Sequence, residues 1–236
     1  IDPDGPSCKV GVDFFQQYGS DCMIAIGGGS SIDSAKGIAA FVNNYALSVL
    51  DVAGVNNIPG EVPPVFAIPT TVGTGSESTS FAILTSADSR KMVVGGYKLL
   101  PKVAFLDPQM VMGLPAHIAA ATGVDAITHA VEAYLSSIAS PFSDLMAIRA
   151  MELLGAHVRN FVAKRDNLEA AAAMILGSNL AGIAFNHARL GNIHAMAHPM
   201  GGLFHIPHGV ANASLMPTVL EWHCIGDTGK FEAAYR

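Results

Sequence analysis

Histidines are concentrated near one end of the sequence. Five of the nine histidines, at positions 187, 194, 198, 205 and 208, lie within a single short stretch. Imidazole nitrogen is the commonest side-chain ligand of divalent transition metals, so this concentration predicts a metal site. For any one of the five, an ordinary core or surface position is the alternative. The five together favour metal binding.

The spacing of these histidines requires a reversal of the chain. On one straight helix His194 and His208 would lie about 21 Å apart, too far for one ion held about 2.1 Å from each nitrogen. Four residues of the types that end helices and permit turns lie between them: Pro199, Gly201, Gly202 and Pro207. We therefore expect the chain to turn back in this interval. His194 and His198 are four residues apart and are expected on one helical face.

A carboxylate and an imidazole form a second candidate pair. Asp125 and His129 are four residues apart on a helix predicted over residues 115–136, so both would project from one face. A salt bridge or hydrogen bond along the helix is the alternative. With His194 and His208 the pair would complete an Asp/His/His/His set, which suits zinc or ferrous iron and leaves room for a substrate oxygen.

Composition and charge argue against several classes of partner. Hydrophobic residues make up 50% of the chain, 14% of the residues are charged and the net charge is −6. The sequence has no run of lysine or arginine. These values are typical of a compact, heavily buried protein, and neither nucleic acid nor an anionic membrane is expected as its main partner.

The cysteines indicate in which cellular compartment the protein is expected. Cys8, Cys22 and Cys224 form neither an even set nor a C-x-x-C pair, so neither a disulfide framework nor a thiolate zinc site is indicated. A reducing, cytoplasmic compartment fits best.

The most apolar stretch, residues 170–185, is shorter than a membrane span and carries Ser178 and Asn179 near its middle. It predicts a buried helix.

A glycine-rich segment follows the first predicted strand. Residues 22–26 form an apolar run of strand length, and GGGSSIDSAK at residues 27–36 leads into an apolar helical run. Strand, glycine turn and helix form the arrangement in which backbone N–H groups and the helix dipole bind a phosphate. Ser30 and Asp33 have capping-box spacing, which predicts the helix start. The segment is neither G-x-G-x-x-G nor a Walker A motif, so a plain tight turn is the alternative.

A second segment of the same kind follows a strand predicted at residues 65–68. PTTVGTGSE, at residues 69–77, supplies hydroxyls and glycines, and Thr74 and Glu77 again have capping-box spacing. Two such strand ends predict a nucleotide lying across the edge of a sheet. Residues 81–85 and 91–94 then predict a hairpin, whose Lys91 could reach a cofactor phosphate or ribose; a solvated lysine is the alternative.

The predicted secondary structure changes near residues 109–114. Before this point strands alternate with helices, the last predicted strand covering residues 103–106. After it, alanine-rich stretches with helical period continue at residues 115–136, 141–162, 168–185 and 209–223. We therefore expect an α/β domain over residues 1–110 and an all-helical domain over residues 111–236.

Four motifs in this order resemble the iron-containing alcohol dehydrogenases, sometimes called group III. They are residues 27–36 (GGGSSIDSAK), 69–77 (PTTVGTGSE), 125–129 (DAITH) and 194–212 (HAMAHPMGGLFHIPHGVAN). The likeness runs from about Pro6 to His223. It implies a metal-dependent oxidoreductase that transfers a hydride between NAD or NADP and a small primary alcohol, aldehyde or diol. A homodimer or higher homo-oligomer is expected from the same likeness.

The resemblance also implies a role for individual residues. The ligands of a divalent metal, Fe²⁺ in the first place and Zn²⁺ as the alternative, would be Asp125, His129, His194 and His208. His198 would be the catalytic residue beside the nicotinamide and substrate. The cofactor-binding residues would be Gly28, Gly29, Ser30, Asp33, Thr70, Thr71, Thr74 and Lys91. His187 and His205 would at most line the site.

The resemblance implies a fold like that of the dehydroquinate synthases, with a truncated nucleotide-binding α/β domain before the all-helical metal-binding domain. Family members begin with a further strand–loop–strand portion and continue with more helices, so we expect both ends of this chain to be missing. Three other functions remain open. They are a metal-dependent hydrolase or lyase, a glycerol dehydrogenase-like zinc enzyme on the same ligands, and a non-catalytic nucleotide- or metal-binding fragment.

Overall fold

The computed structural model describes residues 3–164, 166–204 and 206–225. The chain forms two compact units, the first comprising Ile1–Thr70 with Ser76–Leu106 and the second Thr71–Gly75 with Asp107–Arg236. The elements of the first unit are α1 (Gly5–Gln17), β1 (Met23–Gly27), α2 (Gly29–Val42), α3 (Val49–Val52), β2 (Gly54–Val55), β3 (Val65–Pro69), β4 (Phe81–Thr85), β5 (Lys91–Gly95) and β6 (Val103–Ala104), with 3₁₀ turns at Ser76–Ser78 and Tyr97–Leu99.

The first unit contains a parallel sheet and a mixed sheet. The parallel sheet has the order β1-β3-β6, with Gly27 opposite Pro69, and the mixed sheet has the order β2-β5-β4, in which β4 and β5 form the predicted antiparallel hairpin. Because the side chains of a strand alternate, Ala25 of β1 is buried while Ile24 and Ile26 are exposed on the opposite face.

Helix α2 contributes to the cores of both sheets. Ile32, Ala35 and Ala39 pack with alanines and a valine of β1 and β3. Its next residues, Ala40 and Phe41, belong to a second core formed with α1, α3, β4 and β5. Helix α2 therefore lies between two apolar layers, which explains why its interior is buried on more than one face.

One of the two predicted capping boxes is wrong. Helix α2 begins at Gly29, with Gly28 as its N-cap and no side-chain cap, and Asp33 makes contacts outside the predicted box. Its carboxylate accepts hydrogen bonds from Ser76 Oγ at 2.6 Å and from the Ile83 N–H at 3.0 Å. The segment with the box predicted at Thr74 and Glu77 contains a 3₁₀ turn at Ser76–Ser78, and this box stays a prediction.

Helices are the regular secondary structure of the second unit among its described residues. Its elements are α4 (Gln109–Met112), α5 (Ala116–Leu135), α6 (Pro141–Ala163), α7 (Leu168–Ala188), α8 (Asn192–Phe204) and α9 (His208–Ile225). Local signals define the helix starts, since Ser140 caps α6 with Pro141 in its first turn, and Asn167 accepts a hydrogen bond from the Ala170 N–H in α7. The fold is thus α/β plus all-α, as predicted.

Helix α7 is a largely buried helix of the second unit. By length and hydropathy it is the one described helix that could cross a membrane, but 56% of its most apolar window is buried within the chain. Ser178 and Asn179 are both buried, and α7 packs against α5 and α6. The prediction of a buried helix at residues 170–185 is confirmed.

Candidate active site

Helix α5 places three polar side chains on one buried face. Asp125, His129 and Glu132 are spaced by four and three residues, so they follow one another along the helix. Their exposed fractions are only 4–5%. A carboxylate, an imidazole and a second carboxylate are therefore held away from solvent, where ionisable side chains are found when they are paired or bind a metal.

Helices α8 and α9 supply the remaining predicted ligands. His194 lies in α8 and is 2% exposed, and His208 is the first residue of α9. Helix α8 continues through Pro199, Gly201 and Gly202 to Phe204, and α9 begins at His208, so of the four residues expected to permit a turn Pro207 lies between the two helices. The change from α8 to α9 therefore falls within the interval in which the spacing of the histidines requires the chain to turn back.

Three of the four predicted ligands converge on an oxygen of the fourth. Asp125 Oδ1 lies 3.9 Å from His129 Nε2, 3.5 Å from His194 Nε2 and 3.4 Å from His208 Nε2. Ligand atoms about 2.1 Å from a tetrahedral ion are separated by about 3.4 Å. The ligand atoms of Asp125, His129 and His194 all lie within 4.8 Å of one another, so the donor set and its spacing fit a divalent ion.

Asn212, one turn after His208 on α9, lies at the centre of this cluster. Its Nδ2 donates to Asp125 Oδ1 at 2.7 Å and lies 3.2 and 3.3 Å from Nε2 of His194 and His208. Its own Oδ1 is buried without a hydrogen-bond partner among the described residues. An amide donor surrounded by three ligand atoms marks the point where a cation would satisfy their lone pairs.

The other ring nitrogens of two histidines have acceptors. His194 Nδ1 lies 2.6 Å from Glu132 Oε2, and His129 Nδ1 lies 3.0 Å from the Gly73 carbonyl oxygen. Acceptors at Nδ1 favour the tautomer whose Nε2 is available as a ligand. Both rings thus present Nε2 to Asp125.

The electrostatics of the cluster follow from its burial and its close charges. Burial lowers the pKa of His129 to about 4, in spite of the attraction of Asp125. Burial would also lower the pKa of His194, but hydrogen bonds to Asp125 and Glu132 raise it to about 9. Burial opposes ionisation of Asp125 as well, yet the surrounding histidines hold its pKa well below the usual range.

One side of the cluster is open. The His208 side chain is 40% exposed, and the exposed His198 lies beside it with ring centroids 5.3 Å apart. His198 is also 5.9 Å from His194. His187 instead contacts Phe142 at the end of α7, and His205 lies outside the described residues.

The predicted phosphate-binding segments meet at the carboxyl ends of two adjacent strands. The Thr70 N–H donates to the Gly27 carbonyl at 2.9 Å, and Gly27 has a φ of +153°, which favours glycine. Helix α2 starts here, at Gly29, without a side-chain cap. The N–H groups of Gly29 and Ser30 at its start are therefore available to an anion, together with the exposed side chain of Ser30.

The other predicted cofactor residues are more dispersed. Thr71 and Thr74 are half-buried in the Thr71–Gly75 segment of the second unit, and Thr71 Oγ1 is buried without a described hydrogen-bond partner. Lys91 is exposed at the start of β5, in the mixed sheet. Asp33 faces Ser76 and Ile83, as described above.

Sequence reasoning assigned no role to three residues that contact the cluster. Glu132 carries a signal, since it continues the spacing of Asp125 and His129. Asn212 carries one too, because it follows His208 by four residues. Gly73 contributes only a main-chain oxygen, which no residue type reveals.

Comparison with protein families covers nearly the whole chain. Residues 1–108 match the family described as iron-containing alcohol dehydrogenase, and residues 119–236 match the one described as Fe-containing alcohol dehydrogenase family, C-terminal. The two matches meet near the change from strands to helices.

Individual proteins are similar over most of this chain. A 1,3-propanediol dehydrogenase of Citrobacter freundii is 41% identical over 97% of the chain, and an NAD-dependent methanol dehydrogenase of Bacillus methanolicus is 42% identical over 98%. The crystal structure of a 1,3-propanediol oxidoreductase superposes on 96% of the chain with a TM-score of 0.93 and 40% identity, covering 59% of that structure. The chain spans 59% and 60% of the lengths of the two dehydrogenases.

Proposed function

The chain belongs to the iron-containing alcohol dehydrogenase family. We therefore propose that it acts as a metal-dependent oxidoreductase, which transfers a hydride between a nicotinamide cofactor and a small primary alcohol, aldehyde or diol. The observation that carries this proposal is the convergence of three histidine Nε2 atoms on Asp125 Oδ1 within 3.4–3.9 Å. Both the donor types and their spacing suit a catalytic divalent ion.

We assign the ion to Asp125, His129, His194 and His208. When bound, a divalent ion supplies the Lewis acidity that stabilises negative charge on an alcohol oxygen at neutral pH. One carboxylate and three neutral imidazoles compensate only part of its charge. Fe²⁺ is the first choice and Zn²⁺ the alternative, since both accept nitrogen and oxygen ligands. The partial exposure of His208 leaves this side open to a substrate.

We assign NAD or NADP to the strand ends of the first unit and to the threonines that follow β3. The nicotinamide ring supplies the hydride acceptor or donor, and the protein holds and orients it. Gly28, Gly29 and Ser30 would bind the pyrophosphate through the start of α2, because its N–H groups point along the helix dipole. The remaining cofactor residues in the proposal are Asp33, Thr70, Thr71, Thr74 and Lys91.

His198 is the proposed catalytic residue. It is exposed, it lies on the same helix as His194, and its ring stacks near that of His208. An exposed imidazole beside a buried one can take a proton at a ring nitrogen and release it to water. His198 would therefore carry the alcohol proton outward without being a ligand.

The test is a combined metal and redox assay on the 236-residue chain. The chain is purified anaerobically without added ions, its metal content is measured, and it is loaded with Fe²⁺ or Zn²⁺. Absorbance at the reduced-nicotinamide band is then followed with NAD and NADP and with methanol, ethanol and 1,3-propanediol, and with the corresponding aldehydes. Metal-dependent turnover with one of these pairs is the expected result.

Two other outcomes would contradict the proposal. Metal-dependent hydrolysis or elimination without any change at the nicotinamide band would make the chain a hydrolase or lyase on the same ligands. Metal binding with no thermal stabilisation by NAD or NADP, and no turnover, would make it a non-catalytic fragment.

The proposal extends to location and assembly. A cytoplasmic location is supported by free cysteines at positions 8, 22 and 224, which suit a reducing compartment. A homodimer or higher homo-oligomer is expected from the family. Light scattering coupled to size-exclusion chromatography tests the assembly, and a mass equal to that of one chain would contradict it.

A further inference from the structure

Glu132 is a buried carboxylate that contacts Nδ1 of His194, whereas Nε2 of the same ring faces Asp125. Its Oε2 lies 2.6 Å from His194 Nδ1, and its Oε1 accepts a hydrogen bond from the Ile193 N–H, also at 2.6 Å. Glu132 is 5% exposed and His194 is 2% exposed. Resting on the proposed function, we propose that Glu132 is a positioning residue that holds His194 in the orientation and tautomer able to bind the metal.

The tautomer follows from the chemistry of the contact. An ionised carboxylate only accepts hydrogen bonds, so the nitrogen 2.6 Å away must carry its proton. When one proton is left on the ring it is therefore at Nδ1, and the Nε2 lone pair is directed toward Asp125 Oδ1, 3.5 Å away. Glu132 thus determines which nitrogen of His194 is the ligand.

The orientation is constrained by the second oxygen of Glu132. Because Oε1 is bonded to the main chain one residue before His194, the carboxylate fixes both the start of α8 and the ring that projects from it. Gly191 packs closely against Glu132, since a Cβ at that position would lie 3.0 Å from Oε1. Rotation of the carboxylate would break both hydrogen bonds.

Glu132 also places a negative charge at Nδ1 of His194, whereas the corresponding contact of His129 is neutral. His129 Nδ1 faces the neutral carbonyl of Gly73, whereas His194 Nδ1 faces a full negative charge. Together with Asp125, Glu132 would bring the charge of a divalent ion and its surroundings to zero. An outer carboxylate of this kind makes the imidazole a stronger ligand and fixes its ring.

The substitution Glu132→Gln separates this role from a purely structural one. It conserves the volume of the side chain and keeps one oxygen for the Ile193 N–H. The amide nitrogen then faces His194 Nδ1, so either two donors meet or the ring changes to the tautomer with its proton on Nε2. In both cases Nε2 is a poorer ligand.

The readouts are metal affinity and the visible spectrum of the chain loaded with Co²⁺. Affinity is measured by chelator competition at fixed pH, and the unfolding midpoint of the metal-free chain is measured in urea. We expect E132Q to bind metal about 10–100-fold more weakly and to change the Co²⁺ spectrum, with little change in the metal-free midpoint. The matched control is Glu152→Gln, an exposed carboxylate paired with Arg149 on α6, for which neither readout should move.

Each outcome decides the proposal. An E132Q chain that binds metal as tightly as the unmodified chain, with the same spectrum, overturns it. If E132Q does not fold, Glu132→Ala provides the same two measurements, and unchanged affinity again overturns it. An unmodified chain without affinity for divalent ions overturns the proposed function as well, which distinguishes that failure from a failure of Glu132 alone.

Discussion

The ammonium group of Lys36 lies 2.6 Å from the main-chain oxygen of Ser76. The same nitrogen also donates to the hydroxyl of Ser76, to both oxygens of Thr79 and to the carbonyl of Phe81, at 2.7–3.2 Å. Lys36 is fully buried. It therefore joins the middle of α2 to the segment that follows the threonine-rich turn, although neither the family motif nor the residue type suggested this role.

Replacement of this lysine should destabilise the chain. In Lys36→Met several buried oxygens lose a donor, and we expect the free energy of unfolding to fall by about 3 kcal/mol. The control is Lys98→Met, because Lys98 also donates to two carbonyls, those of Ile58 and Gly60, but is exposed. In Lys98→Met the free energy of unfolding should fall by less than about 1 kcal/mol. Equal losses in urea unfolding would contradict a special role for the buried ammonium.

The same lysine should make stability depend on pH in the alkaline range. Burial lowers the pKa of Lys36 from 10.5 to about 8, although Asp33 and Glu77 oppose this change. Between these values the unfolded chain binds a proton that the folded chain has released, so the free energy of unfolding rises with pH, by about 3 kcal/mol in total. The difference between the unmodified chain and Lys36→Met isolates this contribution. This difference in the free energy of unfolding should be constant below pH 8 and increase above it. A difference that falls with pH would refute the prediction.

Gly75 should tolerate a side chain less well than another glycine of the same conformation. Gly75 and Gly60 both have a φ of +62°, but a Cβ at Gly75 would lie 2.7 Å from Gly182 Cα, whereas nothing lies within 4 Å of one at Gly60. Gly60→Ala should cost about 1–2 kcal/mol for the backbone conformation alone. Gly75→Ala should cost about 1–3 kcal/mol more, because the turn must move off α7. Urea unfolding of both variants measures the difference, and equal costs would show that the turn yields freely.

The fold could be read from the sequence where the local signals were strong. Strands β1, β3, β4 and β5 lie within a residue or two of their predicted positions, because short apolar runs are bounded by glycine, proline and polar residues. The start of α2 was misassigned because a glycine replaced the expected side-chain cap. Of the residues expected to permit the turn between His194 and His208, Pro199 lies inside α8 and Pro207 lies between α8 and α9.

The part of the site that could be predicted is the part that follows from residue spacing along the sequence. Asp125 and His129 are four residues apart and therefore share a helical face, and His194 and His208 needed only a turn between them. Glu132 and Asn212 lie on the same faces as ligands, but their contacts with His194 exist only once α5, α8 and α9 pack together. The Gly73 carbonyl at His129 depends on main-chain placement, which a pattern of residue types does not encode.

Two histidines on α8 should respond differently to substitution. His194 is buried and shares Asp125 with the other proposed ligands, whereas His198 is exposed and lies 5.9 Å away between ring centroids. His194→Ala should therefore lose bound metal and turnover together, while His198→Ala should keep the metal and lose turnover. Elemental analysis of both purified variants, with turnover assays on the same samples, makes the comparison.

Thermal stability supplies a second measure of the same difference. At a free ion concentration about 100 times Kd, binding to the folded chain adds about 2.7 kcal/mol to the free energy of unfolding. The unmodified chain and His198→Ala should gain this stabilisation with Zn²⁺ or Fe²⁺, and His194→Ala should not. Stoichiometric metal in His194→Ala would refute His194 as a ligand, and loss of metal in His198→Ala would make His198 a ligand and not a proton carrier.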